Sequence, residues 1–312
     1  MKKNTLLTAS MFIAIGAWLL SACTGNGETP KRDTKDTLEE NPKPVVQDSS
    51  FKTREFSVNG VSFKMVAVEG GTFQMGAQCK DPEKDNYDKY AWSEEQPVHS
   101  VTLSSYYIGE TEVTQALWEA VMGDTQIAKA GDKELRGIGY DYPMYYISYD
   151  DCVDFVKKLN EKMKAEGKLP AGREFRLPTE AEWEFAARGG NFSRGYQYSG
   201  SDTLSSVAWH GGNSNDTTHP VKQKGANELG LYDMSGNVLE WCYDSYNYYP
   251  TSPQTNPKVD DGPDLLYSKL RGFYRVHRGG SWFSLAPSCR VADRGDNSRD
   301  YRFSQLGLRL AL

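Results

Sequence analysis

The segment HRGGSWFSLAPSCR, residues 277–290, carries the residue types of a reactive site: paired glycines, a serine, two aromatics and a single thiol, Cys289. A lone cysteine can be a nucleophile, a soft metal ligand, half of a disulfide or core filling, and its neighbours leave all four open. A second candidate is NELGLYDMSGNVLEWC, residues 227–242. Asp233 and Glu240 are hard oxygen ligands seven residues apart. Gly236 and Asn237 between them permit a tight turn that can aim carbonyls inward, which makes a calcium loop, although the same residues also build ordinary turns. Other metal chemistry has less to draw on. There is no CxxC and no paired Cys/His spacing, and the four histidines stand singly. These patterns speak against a zinc cage and against the His-carboxylate triad of a non-haem iron oxidase.

Such loops need elements to hold them. TEVTQALWEAVMG reads as a helix capped by Thr114, with Leu117, Val121 and Met122 on one face. A longer helix runs from Ser148 to about Glu166, with Ser148 as cap, Asp151 at the third position and Gly167 as the stop. Its apolar stripe includes Cys152, read as a buried thiol. RLPTEAEWEFAARGG gives a third helix, with a capping box of Thr179 and Glu182 and a stop at Gly189. Glu180, Glu182 and Glu184 invite a catalytic reading, but acids in a first turn favour the helix dipole, so they are read as structural. Asn59-Gly60 between two β-type runs signals a hairpin, and VHSVTLSSYYIGE reads as one further strand. After Gly190 no helical pattern recurs. So long an irregular stretch needs metal ions, disulfides or aromatic clusters to fix it.

The chain has 312 residues, of which 38% are apolar, enough for a sizeable core. Its 29 Gly, 19 Tyr and 7 Trp point to turns and aromatic packing rather than to a helical bundle. Lys2 and Lys3 precede a short apolar run that ends in LSAC, Leu20 to Cys23. This resembles a bacterial lipobox, so residues 1–22 are expected to be a lipoprotein signal peptide, with lipid on the sulfur of Cys23. Residues 23–50 are polar and Pro-containing and read as a flexible tether, leaving residues 51–312 as the folded domain. The 36 basic residues face 42 acidic ones, which argues against nucleic acid as a partner. An exported domain also meets an oxidising environment, so its four cysteines are free to pair.

Six motifs in fixed order change the weighing: VEGGTFQMG, EQPVHSVTLSSYYIGETEVTQALW, RLPTEAEWEFAARGG, GLYDMSGNVLEW, HRGGSW and LGLRLAL. Together they resemble the formylglycine-generating enzyme family, also called sulfatase-modifying factors, over nearly the whole domain. The resemblance implies one α+β domain with a C-type-lectin-like core, poor in regular structure and stabilised by calcium. It implies Asp233 and Glu240 as side-chain calcium ligands, with Gly236 and Val238 giving carbonyls. It also implies a second calcium site near AWHGGNSNDTTHPV, whose ligands the sequence does not place.

Enzymes of this family oxidise a cysteine of client sulfatases to formylglycine, using dioxygen and copper(I) held by two cysteines after a Gly-Gly-Ser. Counting from Gly279-Gly280-Ser281, the first position is Ser284 and the second is Cys289. A hydroxyl is a hard, neutral ligand, so copper is not expected here. The spacing to RVADR also makes this loop shorter than in active members, which puts the equivalence of Cys289 in doubt. Because the family fold brings both motifs near its core, a Cys242–Cys289 disulfide is expected instead. The expected protein is a lipid-anchored lipoprotein of the bacterial cell envelope, periplasmic or surface-exposed. It lacks the oxidase activity and binds a protein or glycan partner. The alternatives are an active oxidase with a diverged site and a lipoprotein of a gliding or secretion machine.

Overall fold

The computed structural model describes residues 52–124, 135–260 and 273–312. Cys23, with the expected signal peptide and tether, lies outside the described residues. Strands β1 (Arg54–Val58) and β2 (Val61–Val68) pair antiparallel down to Val58 opposite Val61. Asn59 and Gly60 close the turn with φ of 47° and 82°. Two left-handed residues are what a two-residue hairpin matching the strand twist requires.

The single strand expected over VHSVTLSSYYIGE is two. β4 (His99–Leu103) lies between β3 (Gly71–Met75) and β7 (Gln254–Thr255), whereas β5 (Tyr106–Gly109) joins the β1–β2 hairpin. The break falls at Ser104-Ser105. There the Ser105 hydroxyl accepts from the Gly70 N–H (3.0 Å) and the Ser104 N–H donates to Asn256 Oδ1 (2.7 Å). Side chains thus satisfy the backbone where the ladder stops, and apolar alternation alone does not reveal the switch.

The three expected helices form with the expected caps. In α1 (Gln115–Met122) the Thr114 side chain accepts from the Leu117 N–H. α2 (Tyr149–Ala165) starts with a Ser148/Asp151 capping box, and α3 (Glu180–Ala187) with a Thr179/Glu182 one. Cys152 is wholly buried on the inner stripe of α2. The main core lies between the β1–β2–β5 sheet, α1 and α2, and a second packs α3 against β3, β4 and the sheet described next.

The half that looked irregular holds a four-stranded sheet in the order β10, β6, β8, β9, from β6 (Leu239–Ser245), β8 (Tyr274–Arg278), β9 (Arg294–Ser298) and β10 (Leu306–Leu308). One helical turn, α4 (Leu204–Val207), precedes it. β6, LEWCYDS, is buried along most of both faces, so it lacks the alternation that marks a strand. The closing LGLRLAL stitches the sheets together. β10 runs parallel to β6, and beyond it the carbonyls of Leu310 and Leu312 accept from the N–H groups of Gly109 and Tyr107. Leu306, Leu308, Leu310 and Leu312 all point into the main core, which leaves Arg309 on the opposite face.

The expected Cys242–Cys289 disulfide is not formed: both cysteines are free and buried. Cys242 points into the α3-side core, and Cys289 into a separate cluster with Tyr198, Leu204, Val207 and Ala208. Side chains sunk in different clusters cannot meet without backbone movement. No helix of the described residues is long and apolar enough to cross a membrane.

Candidate functional site

The Gly279-Gly280 turn builds the site around the thiol. Both residues have left-handed φ, 98° and 71°. A Cβ on Gly280 would lie 2.6 Å from the Ser288 carbonyl and 2.8 Å from Cys289 Sγ, so the close approach admits only glycine. The turn aims the Ser281 N–H at Ser284 Oγ (2.9 Å) and packs Gly280 against the Cys289 thiol. The two positions singled out in the sequence therefore lie at one Gly-Gly-Ser turn.

Their chemistry is nonetheless wrong for a soft metal. Ser284 Oγ also lies 3.1 Å from Ser281 Oγ, which donates to Gln305 Oε1 (3.0 Å). Cys289 ends a 3-10 turn, Ala286–Cys289, and has no exposed surface. Burial, reinforced by the charge of Asp293, pushes its thiol up to about 12, against the Ser281 amide. A neutral hydroxyl in a closed network and a thiol held protonated do not fit copper(I), which takes thiolates.

The calcium candidates sit in a second, more acidic cluster. Glu240 Oε1 accepts from Arg309 Nε (2.9 Å) and Nη2 (2.7 Å), and its Oε2 accepts from Trp183 Nε1 (2.6 Å). Asp233 stands at a left-handed φ of 56°. Its Oδ2 accepts from the Lys222 N–H (2.8 Å), while Oδ1 is buried with no hydrogen-bond partner among the described residues. Glu112 is the member the sequence reading missed. It accepts from the Val238 N–H (3.0 Å) and from Asn237 Nδ2 (2.8 Å), so it holds the Gly236–Val238 turn from beneath. Its only local signal is a place just before the cap of α1. Burial, then the charges of Asp233 and Glu240, raise the Glu112 carboxyl, and burial raises Asp233 to about 6.

Three buried carboxylates thus face one guanidinium, with Asp233 Oδ1 open. That surplus of hard, negative oxygen fits a divalent cation in charge. Glu240, engaged by Arg309 and Trp183, supplies charge more than a free ligand atom. Among the described residues no three Asp, Glu, His or Cys side chains converge as a metal-ligand group, so a calcium ion would need backbone carbonyls beside Asp233.

The acids of α3 are structural, as expected. Glu180 takes Arg294 through two nitrogens (2.7 and 2.6 Å), Glu184 pairs with Arg188 (2.8 Å) and Arg278, and Glu182 takes Arg176. Each carboxylate is matched by guanidinium, which ties α3 to the four-stranded sheet and leaves no free acid-base pair.

Residues 52–312 match the model of the sulfatase-modifying factor enzyme 1-like domain. A protein of Paenibacillus barcinonensis named chaperone protein LppX is 32% identical, over 75% of this chain and 84% of its own length. The formylglycine-generating enzyme of Streptomyces coelicolor is 29% identical, over 79% of this chain and 88% of its own. Among solved structures, variable protein 1 of Treponema denticola aligns with a TM-score of 0.67 at 32% identity, covering 83% of this chain and 98% of that one.

Proposed function

The chain belongs to the sulfatase-modifying factor enzyme 1-like family, and we propose that it is a non-oxidising member, an envelope lipoprotein that works by binding. One observation carries this reading: in the turn where two thiolates would be needed, the Ser284 hydroxyl stands at the Ser281 amide and Cys289 is wholly buried. The name of the Paenibacillus relative, a chaperone protein, supports a binding role. Fold by itself does not decide function, and related domains support both catalysis and binding. In this reading Cys23 carries the lipid, residues 23–50 form the tether, and the domain meets a protein or glycan partner at the periplasmic or outer face. A calcium ion held by Asp233 and the carbonyls of Gly236 and Val238, with Glu240 adding charge, would be structural and would offset the acid surplus.

The test is chemical. The purified protein is incubated with copper(I), dioxygen and a cysteine peptide of sulfatase type, and the peptide is weighed by mass spectrometry. The expected result is an unchanged thiol peptide and copper(I) binding no stronger than that of an unrelated protein. Conversion of the cysteine to an aldehyde would overturn the reading in favour of a diverged but active oxidase.

A further inference from the structure

A cleft of about 460 Å³ opens between the loop carrying Asn86 to Lys89 and the loop from Gly195 to Asp202, and Arg290 to Ala292, the residues that follow Cys289, form part of its wall. Its volume is that of a small-molecule site, but such sites are predominantly apolar. Here Asn, Asp, Gln, Arg and Tyr side chains make up most of the wall. An occupant must therefore bring its own hydrogen-bonding groups, because burying these side chains against an apolar ligand would strand them.

The wall is preorganised. Asp88 accepts from the Tyr90 N–H (2.8 Å), from Gln197 Nε2 (3.1 Å) and from Arg290 Nη1 (3.2 Å), which fixes its plane. The Gln197 N–H donates to Asp202 Oδ1 (2.9 Å), and Asp202 otherwise faces solvent. The two guanidiniums of the floor are paired from below, Arg290 with Glu95 and Arg188 with Glu184, which it shares with Arg278. The cleft consequently offers fixed dipoles and the acceptors Asp88 and Asp202, with the exposed Lys89 as a further cation on its wall. Tyr87, 42% exposed, stands on one lip and the half-buried Tyr196 on the other.

We propose that this cleft binds a neutral saccharide, resting on the reading of the domain as a binding module. Sugar hydroxyls donate and accept at once, so neighbouring hydroxyls suit planar carboxylate and amide groups such as Asp202 and Gln197. The C–H face of a pyranose carries slight positive charge and lies on the negative face of a tyrosine ring. The carboxylates Asp88 and Asp202 in the wall and the acidic net charge oppose a polyanion.

The test uses the full chain in mild detergent on an array of neutral gluco-, manno-, xylo- and N-acetylglucosamine oligomers, with sulfated oligosaccharides as the anionic control. Binding to at least one neutral series is expected, with none to the sulfated set. Tyr87→Ala and Asp202→Ala should each weaken it at least tenfold with melting temperatures unchanged, since both side chains are at the surface. No binding to any neutral series, equal binding by the variants, or a preference for the sulfated set would overturn the assignment. Peptide oxidation in the copper experiment would overturn only the non-oxidising reading, whereas an empty array beside an unoxidised peptide would overturn only this site.

Discussion

Arg309 grips Glu240 through two nitrogens, Nε and Nη2, at 2.9 and 2.7 Å from Oε1, with both side chains sealed from solvent. Trp183 of α3 completes the clasp on the other oxygen. Arg309 also donates to the carbonyls of Gly109 and Tyr232, so one guanidinium joins the closing strand to β5, β6 and the loop before Asp233. Removing one partner of such a pair strands the other charge, which typically costs about 3–5 kcal/mol. Arg309→Met should therefore lower the unfolding free energy, measured by urea titration, by an amount in that range. A loss below about 1 kcal/mol, the scale of an exposed ion pair, would show that the clasp is dispensable.

The same cluster predicts a calcium effect. An ion that binds the native state alone stabilises it by mass action, by about 2.7 kcal/mol at a hundredfold excess over the dissociation constant. A calcium chelator should lower the melting temperature, and Asp233→Ala should remove that sensitivity by deleting the open Oδ1. Superimposable melting curves with and without chelator would count against the ion.

The thiols give a third expectation. Cys152, Cys242 and Cys289 are free and buried, and burial raises each thiol above its ordinary value. Thiolates do the reacting, and these sites hold few. A native-state alkylation assay at pH 8 should leave all three unmodified, and denaturant should expose all three. A Cys242–Cys289 cross-linked peptide in a non-reducing map would contradict the packing described above.

What the sequence conveyed depended on how far apart the interacting residues lie. Thr114, Ser148 and Thr179 each cap a backbone N–H three residues on, and Asn59-Gly60 closes its own hairpin, so these elements were readable from local order. The β6–β8 pairing of Glu240 with Arg278 joins distant segments, and β6 has no alternating pattern to announce it. Glu112 reaches the Asp233 cluster from across the fold, and nothing beside it distinguishes it from Glu110. That Ser284 and Cys289 lie at one Gly-Gly-Ser turn was not read from the sequence, where the loop length put Cys289 in doubt. Nor was the direction in which the Cys242 and Cys289 side chains point, because burial in one cluster or another is settled by the whole packing.

The anchor is open to a direct test. If Cys23 is lipidated, Cys23→Ala should move the protein from the membrane to the soluble fraction and abolish incorporation of a labelled fatty acid. Labelling that persists in the variant would place the lipid elsewhere.

Acidity should also shift stability in a particular direction. Burial, and then the charge of Glu95, push the Asp293 carboxyl up to about 7 against the pull of Arg290, and burial carries Asp244 to about 7 as well. Unfolded, such a carboxyl titrates near 3.9, so between about 4 and 7 the native protein holds protons that the unfolded chain has released. Stability from these two groups is therefore full below about pH 4 and falls as pH rises to about 7. Glu184, lowered by Arg188 and Arg278, works the other way, but its contribution is lost only as pH falls below the ordinary carboxylate range. Asp233, raised to about 6, and the raised Glu112 act in the same direction, whereas buried His277, lowered to about 4, opposes them, so a single-site variant is needed to isolate Asp293. Asp293→Asn removes one of the two titrations while keeping the side-chain shape. Its unfolding free energy, measured by urea titration, should match that of the parent below about pH 4 and exceed it near pH 8, by up to about 4 kcal/mol. A variant less stable than the parent at pH 8 would mean that Asp293 is held ionised by Arg290 and that the sign has been read the wrong way.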